Sequence, residues 1–93
     1  MAGTESFSGS SYTPFTTAGV LVRSGGGRAV RLVVTAAITG TVTIYDSLTA
    51  TGQIVWVSTA NPAVGTSVLI DVPVNTGIYV VPGSAGAGIL VWS

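Results

Sequence analysis

The stretch Thr41-Val42-Thr43-Ile44-Tyr45 alternates apolar and polar side chains. Successive side chains of an extended chain point to opposite faces, so Val42 and Ile44 share one face while Thr41, Thr43 and Tyr45 share the other. That is the pattern of a strand with one side on a core and one side outward. Moving outward along the chain, the same β-branched composition recurs, but the alternation fades. In Gln53–Ser58, Ile54 and Trp56 fall on one side and Val55 and Val57 on the other, so both sides are apolar. The C-terminal segment repeats this, with Ile89 and Val91 against Leu90 and Trp92. A two-layer sandwich buries only one face of each sheet. The second apolar face therefore needs a covering partner, either another copy of the chain or a different subunit.

Val, Ile, Leu and Thr dominate from Thr16 onward, and Gly and Pro punctuate the chain about every ten residues, the spacing of a sandwich or barrel. Seven strands are expected, at about Thr17–Arg23, Arg28–Ala36, Thr41–Asp46, Gln53–Ser58, Ser67–Val72, Gly77–Val81 and Ala87–Trp92. The links between them carry turn chemistry: Ser24-Gly25-Gly26-Gly27, Ile38-Thr39-Gly40, Asn61-Pro62-Ala63-Val64-Gly65, Pro73-Val74-Asn75-Thr76-Gly77 and Pro82-Gly83-Ser84-Ala85-Gly86. No segment has helical periodicity with caps. Antiparallel hairpins in series give an all-β fold, an antiparallel β-sandwich or a barrel-like, jelly-roll-like domain spanning residues 16–93.

Residues 1–15 differ in character, being Ser, Thr and Gly with isolated aromatics. Such a segment cannot bury enough apolar surface to offset its own ordering entropy. It reads as a loose tail or, given the spacing of Phe7, Tyr12 and Phe15, as a flexible N-terminal arm that docks its aromatics on an adjacent subunit. Met1–Ser11 has neither a positively charged start nor an apolar core of the kind secretory signals carry, so retention inside a cell until assembly is expected.

Charge narrows the function. The 93 residues carry three Arg and three acidic residues and a net charge of zero; charged residues make up 6% of the chain, against roughly a quarter in ordinary soluble domains. A surface so poor in charge favours association. No cluster of cations is available to neutralise phosphates, which argues against nucleic acid as a partner. Mean hydropathy is positive at +0.71, yet every apolar run is broken within a few positions by Thr, Ser or Gly, far short of the ~18 residues of a membrane-crossing helix.

The side-chain inventory also constrains chemistry. Without His or Cys, neither a Ser-His-Asp nor a Cys-His arrangement can be built, and no thiolate or imidazole metal site exists. Asp46 and Asp71, the only acids after Glu5, read as loop-capping or ion-pairing groups rather than an opposed catalytic pair. Ser24-Gly25-Gly26-Gly27-Arg28 lacks the ending of a phosphate-cradling loop and reads as a hairpin. Arg28 and Arg31, at odd spacing, are expected on opposite faces of their strand. Trp56 and Trp92 read as core or interface residues, with a sugar-stacking platform as the alternative. No enzyme activity and no cofactor is expected.

Gly40-Thr41-Val42-Thr43-Ile44-Tyr45-Asp46-Ser47-Leu48-Thr49-Ala50-Thr51-Gly52 resembles a pattern of small tailed-bacteriophage structural proteins, in which a TVTIYDG strand leads through a Ser/Thr/Ala loop and a Gly into an apolar strand. Thr76-Gly77-Ile78-Tyr79-Val80 and the Gly-rich link into the last strand extend the likeness over about residues 28–92, although Ser47-Leu48 stands where the pattern has Gly. The resemblance implies a virion protein of the capsid decoration or cement type. Such a protein would bind the major capsid protein or other virion subunits as a homo-oligomer, trimers being favoured, after assembly in the host cytoplasm. It carries no catalytic residues over. The expected contact residues are Phe7, Tyr12, Phe15, Trp56 and Trp92. The alternatives are a neck, tail or fibre component, or a glycan-binding β-sandwich module.

Overall fold

The computed structural model describes residues 11–93. They form eight strands: β1 (Ser11–Phe15), β2 (Val20–Ser24), β3 (Gly27–Thr39), β4 (Thr43–Asp46), β5 (Gln53–Val57), β6 (Ser67–Val74), β7 (Gly77–Val81) and β8 (Ala85–Trp92). Two four-stranded antiparallel sheets, ordered β1-β8-β3-β6 and β2-β7-β4-β5, make the two layers of an all-β sandwich. The pairs β1/β8, β2/β7, β3/β6 and β4/β5 nest about the β4–β5 turn, as if one long hairpin were rolled on itself. That nesting is the strand arrangement of an eight-stranded jelly roll.

The structure departs from the sequence expectation in its connections and at its N-terminal strand. The links were expected to close hairpins in series, whereas only β4 and β5 pair directly across their connection; every other link carries the chain from one sheet to the other. Residues Ser11–Phe15 were expected in a flexible arm, but they form β1, the edge of the first sheet, in continuous register with β8 from Ser11↔Trp92 to Phe15↔Gly88. A third of the expected arm is thus part of the domain, and residues 1–10 lie outside the described region.

The core lies between the sheets. Phe15, Ala29, Leu32, Val34 and Leu90 face inward from the first sheet, and Ile44, Ile78 and Val80 from the second, with Val42 beside them. Val42 and Ile44 are fully buried, as their alternation with Thr requires.

The two ends are closed by polar side chains bonding to backbone. At one end Asn61, with φ of 53°, exchanges two bonds with Gly40: its N–H donates to the Gly40 carbonyl at 2.7 Å, and its Oδ1 accepts the Gly40 N–H at 2.9 Å. This ties the β3–β4 link to the β5–β6 loop. At the other end Asp46 accepts from three consecutive backbone N–H groups, Asn75, Thr76 and Gly77, and so holds the corner where the chain crosses from β6 to β7. Gly77 is enclosed there; a Cβ on it would stand 2.7 Å from the Arg23 carbonyl oxygen. Gly86, with φ of 104°, starts β8 against the backbone of Ala37 and Ile38, where no side chain fits.

Candidate protein-binding faces

Strand register and burial together assign each side chain to the core or to an outer face. On β4, Ile44 is buried and pairs with Trp56, so Trp56 also faces inward, while Thr43, paired with Val57 and Val81, faces outward. Tyr45 pairs with Ile54 on one side and Tyr79 on the other, and Tyr79 pairs with Leu21. Leu21, Tyr79, Tyr45 and Ile54 therefore form one transverse row on the outside of β2-β7-β4-β5, with Val81, Thr43 and Val57 as a second row. Leu21, Ile54 and Val57 are 42%, 45% and 50% exposed. Among the described residues this face carries no charged side chain.

The irregular register between Ile44 and Tyr45 explains how Ile54 and Val57 come to lie together. Strict alternation places Ile54 with Trp56; an extra residue, Val55, on β5 turns Ile54 outward while Trp56 stays against Ile44. Sequence periodicity alone misses this, because a bulge reverses every face assignment beyond it.

The outside of β1-β8-β3-β6 is also apolar but carries charge. Tyr12, Val91, Arg31 and Leu69 are in transverse register, and Pro14, Ile89, Val33 and Ser67 form the next row. Tyr12 and Leu69 are 69% and 60% exposed. The Arg31 guanidinium donates to Ser67 Oγ at 2.8 Å. A register shift between Ala29 and Arg31 keeps both Ala29 and Leu32 on the core side. Arg28 and Arg31 consequently share the outer face, contrary to the expectation from their spacing. Arg28 pairs with Asp71 at 2.8 Å, and both side chains are about half exposed.

The five expected contact residues are not gathered into one surface. Phe7 lies outside the described residues. Tyr12 is exposed on β1. Phe15 is 4% exposed and belongs to the core, because the strand formed by Ser11–Phe15 turns it inward opposite Gly88. Trp56 and Trp92 are partly buried against the core rather than outward. Trp92 donates its indole N–H to Thr13 Oγ1 at 3.0 Å and has the Arg23 guanidinium over its ring, 5.5 Å from the centroid. Neither indole presents an open platform on an outer sheet face. Leu21, Ile54, Val57, Tyr45, Tyr79 and Leu69 are the surface residues that the sequence reading does not single out as contacts. The signal available for them was the doubly apolar character of their strands.

The two acids of the domain are held apart in role. Asp46 Oδ1 accepts the Thr76 N–H at 2.7 Å, and this bond, followed by that from Asn75, lowers its pKa below the usual carboxylate range against a partial desolvation. Asp71 holds Arg28. Among the described residues, no three His, Cys, Asp or Glu side chains are grouped as metal ligands. A shallow apolar depression of about 350 Å³ lies over the β1–β2 link, lined by Pro14, Phe15, Thr16, Ala18, Gly19 and Val20, and no charged group enters it. Among the described residues no helix is long and apolar enough to cross a membrane.

No family model matches the chain, and neither a curated protein nor a solved structure matches it. The fold is that of an all-β sandwich with jelly-roll strand order, and its two outer faces are the candidate functional surfaces.

Proposed function

We propose that this chain is a non-enzymatic structural subunit of a bacteriophage virion, a capsid decoration or cement protein that binds the shell and stabilises it by bridging capsomers. The observation that carries the reading is the apolar outside of both sheets. An antiparallel sandwich that stays free in water has polar outer faces, whereas here Leu21, Ile54, Val57, Tyr12 and Leu69 stand exposed on them. Two such faces on opposite sides suit a subunit lodged between neighbours, each face contributing buried area at a seam. The jelly-roll strand order agrees with this role as an analogy, since that architecture serves many viral shells. The resemblance of residues 28–92 to small phage structural proteins supplies the virion setting.

The test is composition. Virions of a phage whose genome encodes this chain are purified, and the chain is quantified against the major shell protein by mass spectrometry. The reading expects hundreds of copies per particle. About six or twelve copies would move the chain to a neck or tail ring, as cyclic symmetry dictates. Absence from the particles would overturn the virion assignment.

A further inference from the structure

The two outer faces differ in the one property that decides whether a surface can meet its own copy. In a two-fold interface the same patch is presented by both partners, so each group near the axis approaches its own copy. On β1-β8-β3-β6 the central strand β3 carries Arg31 and, further along, Arg28 on the outer side. Pairing that face with itself would oppose guanidinium groups with no carboxylate opposite Arg31, since Asp71 is engaged with Arg28. Among the described residues the face of β2-β7-β4-β5 carries no charged side chain, and its central strands present Tyr45, Tyr79, Thr43 and Val81. It meets itself without like-charge repulsion.

We infer that the outer face of β2-β7-β4-β5 is a two-fold self-association surface, on which a second copy of this chain packs sheet against sheet, leaving the Arg31 face for a different protein. This deepens the subunit reading and rests on it. The geometry is that of stacked sheets, with side chains of the Leu21-Tyr79-Tyr45-Ile54 row interdigitating with those of the partner copy.

Area sets how strong this contact is. Four strands about 4.8 Å apart, each presenting about 17 Å of length, cover roughly 300 Å². A pair would bury about twice that, around half of the ~1,200 Å² at which stable specific interfaces begin. The contact is therefore weak in free solution, and it becomes firm when other contacts hold two copies side by side.

Sedimentation equilibrium of the full chain over roughly 10 μM to 1 mM reads this directly. The average mass is expected to climb from the 9.2 kDa monomer toward twice that value. Ile54→Lys and Val57→Lys, each placing a charge at an exposed position of this face, are expected to hold the mass at the monomer throughout. Leu69→Lys, on the opposite face, is expected to leave the climb unchanged, and circular dichroism checks that all three remain folded. A monomer at every concentration for the native chain, a trimer, or loss of association in Leu69→Lys alone would overturn the inference. Those outcomes leave the virion reading to be judged separately, by the copy number in assembled particles.

Discussion

Replacing Asp46 tests whether the corner between the two sheets is held by a charge. Its carboxylate accepts from the backbone N–H of Thr76 at 2.7 Å, of Asn75 at 3.1 Å to both oxygens, and of Gly77 at 3.3 Å. A hydrogen bond to a charged group contributes about 1.5–3 kcal/mol where it is shielded from water. Only Gly77 is buried; Asn75 and Thr76 are exposed, so water replaces much of what they lose. The shortest bond, to Thr76, is exposed and the part-buried one, to Gly77, is the longest, so each of the three donors is counted at a discounted strength, and Asp46→Ala is expected to cost about 2 kcal/mol at pH 7. Asp46→Asn, which keeps an acceptor oxygen but not the charge, is expected to cost about 1 kcal/mol.

The pH dependence gives the sharper test. The pKa of Asp46 is lowered on folding, chiefly by the Thr76 N–H and then by that of Asn75. Stabilisation by its ionised form is therefore complete above the unfolded value near ~4 and is lost as the pH falls through the lower folded value. Urea unfolding of the native chain and Asp46→Asn at pH 7, and then stepwise from pH 5 to pH 2, should show a gap that closes in acid. A gap below about 0.3 kcal/mol at pH 7, or one that persists unchanged at pH 2, would refute the charge-held corner.

Phe15→Ala is expected to lower stability by about 3 kcal/mol, because the side chain is core, and denaturant melts should show it. The same truncation in a docking arm would leave the melt in place. Gly86→Ala is expected to cost at least about 3 kcal/mol, from its positive φ and from contact with the Ala37 and Ile38 backbone, and to appear as poor folding yield or a large fall in Tm. Arg28→Ala removes an ion pair with both partners about half exposed. The change in Tm should correspond to less than about 1 kcal/mol and shrink further in high salt.

The parts of this fold that sequence reveals are those governed by near neighbours. Val42 and Ile44 go to the core because Thr41, Thr43 and Tyr45 alternate with them, and no partner strand is needed to see it. Seven of the eight strands and the turn chemistry at Asn61 and Gly77 follow from the same local signals. The rest depends on which strand pairs with which. Ser24-Gly25-Gly26-Gly27 has the composition of a hairpin but carries the chain between sheets, since β2 finds β7 and β3 finds β8 and β6. Local signals place β1 in the flexible N-terminal arm because its five residues hold one core side chain, Phe15, and its stability comes from pairing with β8, distant in sequence. The register shifts at Ala29/Arg31 and Ile44/Tyr45 moved Arg31 and Ile54 to faces that strict alternation denies them. The candidate surfaces were legible as an excess of apolar strand faces, while the residues that form them emerged only once register was known.

The central claim is that both outer faces are covered by protein in the working assembly. Under the proposed virion role, co-sedimentation of the chain with phage shells, using the native sequence beside Leu69→Lys and Ile54→Lys, tests it most directly. The native chain is expected to pellet with the shells, with each charged variant retained at least about tenfold less, since a buried unpaired ammonium costs more than ~1.4 kcal/mol. A native chain left in the supernatant, or variants on both faces that pellet as the native chain does, would contradict it.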